Sequence, residues 1–428
     1  MAEGELSMSS ETMSRWLPCQ GYCEMAGSAN FFLSLSRCAV LVHGPRWCSS
    51  IAAAEMAGIE KKYEKQFYCS EVRQQNLVFG AADELTEALQ EIETEQHPLL
   101  IALLTSCAMS LIGDDLDGIC RSSGITAPVV TLDSGGLRGQ FMTGYERGLV
   151  RFLSALPLAS MKKEERTVNI IGWSTAYPLW EGNLREIRRL LGMVGITVNV
   201  VLGEDGLSLD KAEELKRASL NLVLYPELGE KAARWLKDNG GMDYAVLPVP
   251  YGLQGTKKWL EKVASHLGIS PDFSEIDREA GRRQEQIDLA VIRLKWNNRI
   301  LRFGDIYACL TEGMAEGLIP ALQEEFPDPG NIHLRIEGPG EGNIDGTVSW
   351  EPFEPVHVPK GELALVLGNS NTRNEAANFS RTIYRNFLMP QVNLPVAEKC
   401  YAGLKGWQYF LADVISDFYT LAYMNRKE

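Results

Sequence analysis

Short apolar runs alternate along the chain with longer stretches whose apolar residues recur at three- and four-residue intervals. That alternation predicts βαβ units built on parallel sheets. Near the N-terminus Ala39–Val42 reads as a strand, Ala81–Ile92 as a helix, Leu99–Leu104 as a buried strand, Asp114–Ser122 as a helix and Val129–Leu132 as the next strand. After a charged break at Lys162–Arg166 comes strand Val168–Ile171, running into Gly172, and then helix Leu184–Met193. Strand Thr197–Leu202, helix Leu209–Ala218, strand Asn221–Leu224, helix Gly229–Asn239 and strand Asp243–Leu247 continue the series. Pro248, Pro250 and Gly252 interrupt it before a helix at Thr256–Leu267. Ser270–Gln286 is polar and charged and predicts a connector, followed by helical spacing of Ile287, Ala290, Val291 and Leu294. A third α/β pattern runs through Ile300–Phe303, Ala308–Leu318, Ile332–Ile336 and Leu363–Leu367, and Gly406–Tyr423 reads as an amphipathic helix. The expected fold class is therefore α/β, in three units at residues 1–160, 161–285 and 286–428.

A length of 428 residues agrees with several cores, since single domains run to about 100–200 residues. The formal net charge of -14 argues against a sequence-independent nucleic-acid binder, which needs clustered Lys and Arg. It favours a small-molecule or protein partner. The longest apolar runs, such as Pro98–Leu104, fall far short of the ~20 residues that span a bilayer, so no membrane segment is expected. Met1–Ser14 is polar and acidic and lacks the features of a secretory signal, so a cytoplasmic location is expected.

Nine cysteines in a reducing compartment point to metal binding or burial instead of a disulfide framework. They crowd toward the front of the chain, which is where thiol chemistry would lie. Cys48 follows the first strand in His43-Gly44-Pro45-Arg46-Trp47-Cys48, and Cys107 follows the Leu99–Leu104 strand in Thr105-Ser106-Cys107. In open α/β sheets ligands bind outside the carboxyl ends of strands, so these two thiols are placed to meet. Cys23 sits in Cys23-Glu24-Met25-Ala26-Gly27, where Gly27 permits a tight turn or a close backbone approach. Soft thiolates suit iron and bridging sulfide, and three from one chain would leave such a cluster to be completed by a second subunit. Inert buried thiols are the alternative reading.

Read together, Cys23-x-x-Ala26-Gly27, His43-Gly44-Pro45-x-x-Cys48, Asn76-Leu77-Val78-Phe79-Gly80 and Thr105-Ser106-Cys107-x-x-x-Leu111-Ile112-Gly113-Asp114-Asp115 resemble the nitrogenase component 1 family. Further likeness runs through Val168–Gly172, Ala218–Val223 and Pro250–Thr256, and ends at Gly403-Leu404-Lys405-Gly406-Trp407. The resemblance implies three Rossmann-like domains with mostly parallel sheets. It also implies that Cys23, Cys48 and Cys107 hold an iron–sulfur cluster, of 4Fe-4S or 8Fe-7S type, shared at the interface with a homologous or identical subunit. An ATP-dependent iron protein would deliver low-potential electrons for reduction of a small or organic substrate. A noncatalytic scaffold for cofactor assembly, or a partner subunit whose companion carries the active-site cofactor, are the alternatives. The chain has no Walker-type G-x-x-x-x-G-K-[ST], so ATP hydrolysis would belong to the iron protein.

Other residues have plainer readings. Asp114 or Asp115 is expected to cap the helix that begins there, His43 to bond backbone, and Arg46 and Arg138 either to balance cluster charge or to face solvent. Gly135, Gly136 and Gly139 predict a bent loop. Cys69 is expected to be a packed thiol, Cys19 an alternative ligand, and Cys38, Cys120, Cys309 and Cys400 buried or incidental. One departure from the family stands out. Where the catalytic subunit carries a cofactor-binding cysteine this chain has Tyr225, and the family's second cofactor ligand, a histidine, is missing from Leu394–Gly406.

Overall fold

A computed structural model describes residues 22–136, 139–296, 303–339, 344–352, 354–360, 362–376, 379–389 and 399–424. Three wholly parallel sheets succeed one another along the chain. The first contains β1 (Cys38–His43), β2 (Phe67–Cys69), β3 (Leu100–Thr105) and β4 (Val129–Leu132) in the order β2-β1-β3-β4. Helices α1 (Glu24–Leu33), α2 (Arg46–Ile59), α3 (Asn76–Phe79), α4 (Ala82–Gln96), α5 (Cys107–Ile112), α6 (Leu116–Ser122) and α7 (Phe141–Ala155) accompany it. The second sheet has β5 (Glu164–Ile171), β6 (Thr197–Val201), β7 (Ala218–Val223) and β8 (Tyr244–Val246) in the order β6-β5-β7-β8. Its helices are α8 (Trp180–Met193), α9 (Leu209–Glu213), α10 (Pro226–Gly240) and α11 (Leu253–Leu267). Helix α12 (Ser274–Trp296) leads to the third sheet, ordered β11-β10-β9-β12-β13. Its strands are β9 (Phe303–Leu310), β10 (Asn331–Ile336), β11 (Thr347–Ser349), β12 (Leu363–Gly368) and β13 (Thr382–Asn386). They come with α13 (Glu312–Glu325), α14 (Ser370–Glu375) and the final helix α15 (Gly403–Met424).

Every residue of β1, β3 and β12 is buried. Central strands of parallel sheets carry side chains on both faces into covered layers, so they read as unbroken apolar runs such as Leu100–Leu104 instead of alternating ones. A single apolar cluster runs through all three sheets, from Phe31 and Val40 through Ile170 and Leu222 to Leu365 and Trp407. Helix α15 closes the molecule by packing on α8, α11 and α12.

The structure departs from the pattern-based expectations in identifiable places. The charged break is partly strand, because β5 starts at Glu164 with exposed residues at its first three positions before the buried run begins. The helix expected over Leu209–Ala218 stops at Glu213, tightens into a 3-10 turn over Glu214–Arg217, and gives Ala218 to β7. The expected connector is helical from Ser274 onward, continuous with the Ile287 to Leu294 stretch. Residue 285 lies inside that helix. Ala308–Leu310 belong to β9, with the helix following only after Thr311, whose side chain accepts from the Met314 N–H as an N-cap.

The expected helices include neither α1 nor α7, although α7 buries Phe141, Tyr145, Leu149 and Phe152 at helical spacing. All ten residues of α1 are buried, so no polar face repeats at helical spacing. The two helices pack closely on each other. A Cβ added at Gly27 would fall 1.8 Å from the Phe141 carbonyl oxygen, and one at Gly144 would fall 1.8 Å from that of Glu24. Only bare backbone on both sides permits this crossing, which fixes the start of α1, and with it Cys23, beside Gln140 at the start of α7.

Candidate metal centre

The chain leaves β1 toward β2 on one side of the first sheet, and β3 continues to β4 on the other, so the strand order reverses between β1 and β3. Ligand crevices form outside the carboxyl ends of strands at such a point. Gly44 and Ser106, which follow these strands, face each other so closely that a Cβ on Gly44 would meet Ser106 Oγ at 2.4 Å. Cys48 stands in the first turn of α2, Cys107 is the first residue of α5, and Cys23 is the N-cap residue of α1. All three thiols therefore sit at helix N-terminal ends, where backbone N–H groups and the helix dipole favour the thiolate. The N–H groups of Met25 and Ala26 act in this sense on Cys23.

Burial works against them. It pushes the Cys23 thiol up, with the Cys107 charge adding to the rise. Cys48 is pushed up to about 11, first by burial and then by the charges of Cys107, Cys23 and Cys69. The three predicted thiols thus lie within one another's electrostatic reach, and Cys69 lies close by. Cys69 donates to the Gly44 carbonyl at 3.4 Å and accepts from the Glu71 N–H at 3.3 Å, so it is a bonded thiol. Burial and the neighbouring charges both favour the neutral thiols of Cys23 and Cys48, and a bound metal would take their protons away.

The loop after β4 completes the crevice. A Cβ on Gly136 would lie 2.8 Å from the Cys23 Cβ, 3.7 Å from its Sγ and 3.6 Å from Cys107 Sγ, so only glycine leaves the space between these thiols open. Ser106 Oγ, next to Cys107, is buried and has no hydrogen-bond partner among the described residues. Among the described residues no three His, Cys, Asp or Glu side chains converge as ligands of a single ion. Soft sulfur donors and the space that bare Gly136 leaves between Cys23 and Cys107 fit an iron–sulfur cluster.

His43 is fully buried and bonds side chains, correcting the expectation of a backbone partner. Its Nδ1 lies 2.9 Å from Ser70 Oγ and its Nε2 3.3 Å from Asp114 Oδ2. Burial lowers its pKa, with Asp114 opposing. Asp115 is the cap of α6, accepting from the Gly118 N–H at 2.9 Å, while Asp114 serves His43. Arg46 is exposed and pairs with Glu71 at 3.6 Å. Cys19 and Arg138 lie outside the described residues. Cys38 and Cys400 are buried and Cys120 is half-buried. Cys309 is buried but not incidental, since Arg335 Nε donates to its Sγ at 3.3 Å and its thiol donates to Glu337 at 3.0 Å.

A pair the sequence did not suggest stands behind Cys23. Glu24 is fully buried, and Arg147 of α7 donates to its Oε1. An i,i+123 spacing leaves no local signal, and only the glycine-mediated crossing of α1 and α7 brings the two together. Tyr225, by contrast, lies in the interior. It packs against Tyr177, ring centroids 4.6 Å apart, and Trp173 at 5.3 Å, all three buried. Tyr177 donates to Glu227 Oε1 at 3.0 Å.

A family model described as Nitrogenase component 1 type Oxidoreductase matches residues 23–295. A component chain of the light-independent protochlorophyllide reductase of Roseiflexus sp. (strain RS-1) is 31% identical over 183 residues, covering 43% of this chain and 32% of that protein. Its counterpart in Prosthecochloris aestuarii is 30% identical over 213 residues, covering 50% and 38%. The match with the nitrogenase iron-molybdenum cofactor biosynthesis protein NifE of Clostridium pasteurianum is 25% identical over 283 residues, covering 63% and 60%. The matched region thus spans less than two thirds of the length of these relatives. A solved structure described as "Nitrogenase Cp1 at pH 6.5" superposes with a TM-score of 0.75 over 100% of this chain and 95% of that one, at 16% identity. At that identity the likeness establishes the fold.

Proposed function

The chain belongs to the nitrogenase component 1 type oxidoreductases, and from that premise we propose that it is one subunit of an iron–sulfur oxidoreductase. Its cluster, of 4Fe-4S or 8Fe-7S type, is held by Cys23, Cys48 and Cys107 and completed by a homologous or identical subunit. The observation that carries this reading is the crevice around Gly136, where Cys23 and Cys107 meet with Cys48 in electrostatic range. When bound, the cluster stores and passes low-potential electrons. The chain's own residues place the thiols at helix ends and leave the space beside Gly136 open, while His43 bridges Ser70 and Asp114 and burial lowers its pKa.

The surroundings support an interface. Trp47, Ile51, Phe79 and Leu111 are 66%, 57%, 88% and 76% exposed, and all flank Cys48 or Cys107 in sequence or on the neighbouring short helices. Exposed apolar side chains grouped in this way mark protein contact. An ATP-hydrolysing iron protein as electron donor and a small or organic molecule as substrate complete the proposal. Domain divisions near 160 and 285 and a cytoplasmic location belong to it as well. Among the described residues no helix is long and apolar enough to cross a membrane.

The packed rings around Tyr225 favour a second reading inside the same family. The position that carries a thiol in catalytic subunits holds here a phenol among other aromatic rings, a poor iron ligand. This favours a subunit whose companion carries the substrate-reducing cofactor, a scaffold on which such a cofactor is assembled, or an enzyme acting on an organic substrate. The test is anaerobic purification with iron and sulfide analysis and light scattering, followed by turnover with iron protein, ATP and reductant. A colourless stable monomer without iron would overturn the subunit assignment. ATP-independent turnover without the iron protein would overturn the electron-delivery route.

A further inference from the structure

The crevice between Cys23 and Cys107 is bounded by a segment that has no side chain of its own. Gly135 and Gly136 follow β4 and run past the starts of α5 and α1. A Cβ on Gly135 would collide with Ser110 Oγ and lie 3.4 Å from the Cys107 Cα, while one on Gly136 would lie 3.7 Å from Cys23 Sγ and 3.6 Å from Cys107 Sγ. Both sulfurs thus reach the same glycine. Glycine loses more conformational freedom on ordering than any other residue, so two in succession need something outside themselves to hold them.

Asp133, directly after β4, makes the connection. Its Oδ1 accepts from Thr105 Oγ1 at 3.0 Å and from Ser110 Oγ, and the two hydroxyl oxygens are themselves 2.8 Å apart. Thr105 ends β3 two residues before Cys107, and Ser110 stands one turn after it on α5, so the two hydroxyls bracket Cys107 in the chain. Each hydroxyl has a single proton to donate, and one carboxylate oxygen takes both. The residue between Asp133 and the glycines is fastened to the same threonine: the Ser134 N–H donates to Thr105 Oγ1 at 3.1 Å, and Ser134 Oγ donates to the Thr105 carbonyl at 3.0 Å. Thr105 and Ser134 are buried, so water does not compete for these bonds.

We propose that Asp133 is a positioning residue for the thiol crevice: by holding the hydroxyls of Thr105 and Ser110 it seats Gly135 and Gly136 against α5 and so fixes the separation of Cys23 and Cys107. The inference rests on the cluster reading only for what these two thiols hold. Their placement by Asp133 applies to the metal-free chain as well.

The test uses the full chain, prepared anaerobically and shown to be folded by circular dichroism, in two states. The metal-free chain is treated with dibromobimane, which fluoresces on bridging two nearby thiols, and the bridged pair is mapped by mass spectrometry. Bridging of Cys23 to Cys107 is expected in the parent and should be about tenfold slower in Asp133→Ala, the scale on which groups behind ligands act. Asp133→Asn should return to near the parent rate, because its amide oxygen still accepts from both hydroxyls. In the iron-loaded chain, release of iron to a chelator should be about tenfold faster in Asp133→Ala and close to the parent's in Asp133→Asn. Rescue by the amide separates positioning from a loss of bulk. Should Asp133→Ala not fold, Ser110→Ala removes one of the two hydroxyls without adding volume and should slow bridging in the same direction. The proposal is overturned if the parent does not bridge these thiols, if Asp133→Ala or Ser110→Ala in its place bridges at the parent rate, or if Asp133→Asn behaves as Asp133→Ala does. A parent that bridges Cys23 to Cys107 as expected but binds no iron would overturn the cluster reading and leave the role of Asp133 standing.

Discussion

The carboxyl ends of the first and second sheets are built alike and finished in opposite ways. In the first, strands β1 and β3 run into bare glycine and serine, thiols stand at three helix ends, and the apolar side chains nearby face outward. In the second, β5 and β7 run into Trp173, Tyr177 and Tyr225, whose rings fill the space with one another. One crevice is kept open and soft, and the other is closed and aromatic. On the proposed reading, chemistry in this chain gathers at the open end, where a second chain would complete the cluster. The closed end contributes stability.

The sharpest break in that comparison is removal of a thiol. Cys48→Ala or Cys107→Ala should strip most of the iron from anaerobically purified protein, measured as iron per chain and by electron paramagnetic resonance. Cys309→Ala should keep its iron, yet lose roughly 1–3 kcal/mol of stability, because Arg335 and Glu337 would lose a buried partner. Equal iron in the Cys48 variant and its parent would end the ligand assignment.

Next in size is the aromatic end. Trp173 and Tyr225 are 0% and 1% exposed, and truncation of such a ring leaves a cavity that neighbours fill only in part. Trp173→Ala is expected to cost about 3–5 kcal/mol in urea unfolding, with iron per folded chain unchanged. A variant that lost iron in proportion to stability would show that the two ends are not separable. Gly136→Ala should do the reverse. Its Cβ would press on Cys23, so cluster retention should fall about tenfold, the scale on which groups around ligands act. Folding should change by no more than about 1 kcal/mol.

The sequence carried the first end better than the second. Strands β1 and β3 announced themselves as apolar runs, and Cys48 and Cys107 follow them, so the placement of both thiols at the carboxyl end of the first sheet was legible from topology. Cys23 was legible as a candidate beside Gly27, but its place was not, since the α1–α7 crossing that sets it depends on Gly27 and Gly144, two glycines far apart in the chain. Helix α1 has no polar face to reveal its period, because all ten of its residues are buried. The Glu24–Arg147 pair was invisible as well, since only tertiary packing brings the two residues together. The role of Tyr225 could be read as a missing thiol, but not as one member of a stack, because Trp173 and Tyr177 come from the loop after a different strand.

The smallest effect is also the cleanest probe of the closed end. Glu227 is buried beside Tyr225 and accepts from Tyr177 through Oε1. Burial raises its pKa, and the hydrogen bonds from Thr311 and Tyr177 only partly oppose the rise. Below the ordinary carboxylate range the group is protonated in both folded and unfolded chains and has no pH effect on stability. As pH rises through that range the unfolded chain ionises first, so the folded state becomes progressively less stable until the raised folded pKa is passed. The amide of Glu227→Gln keeps an oxygen to accept from Tyr177 and cannot ionise. Its unfolding free energy should therefore be close to the parent's near pH 4 and higher than the parent's at pH 8, with a flatter profile between. A parent whose stability rises with pH relative to this variant would mean that Glu227 is held ionised in the folded chain, and the closed end would then contain a buried negative charge.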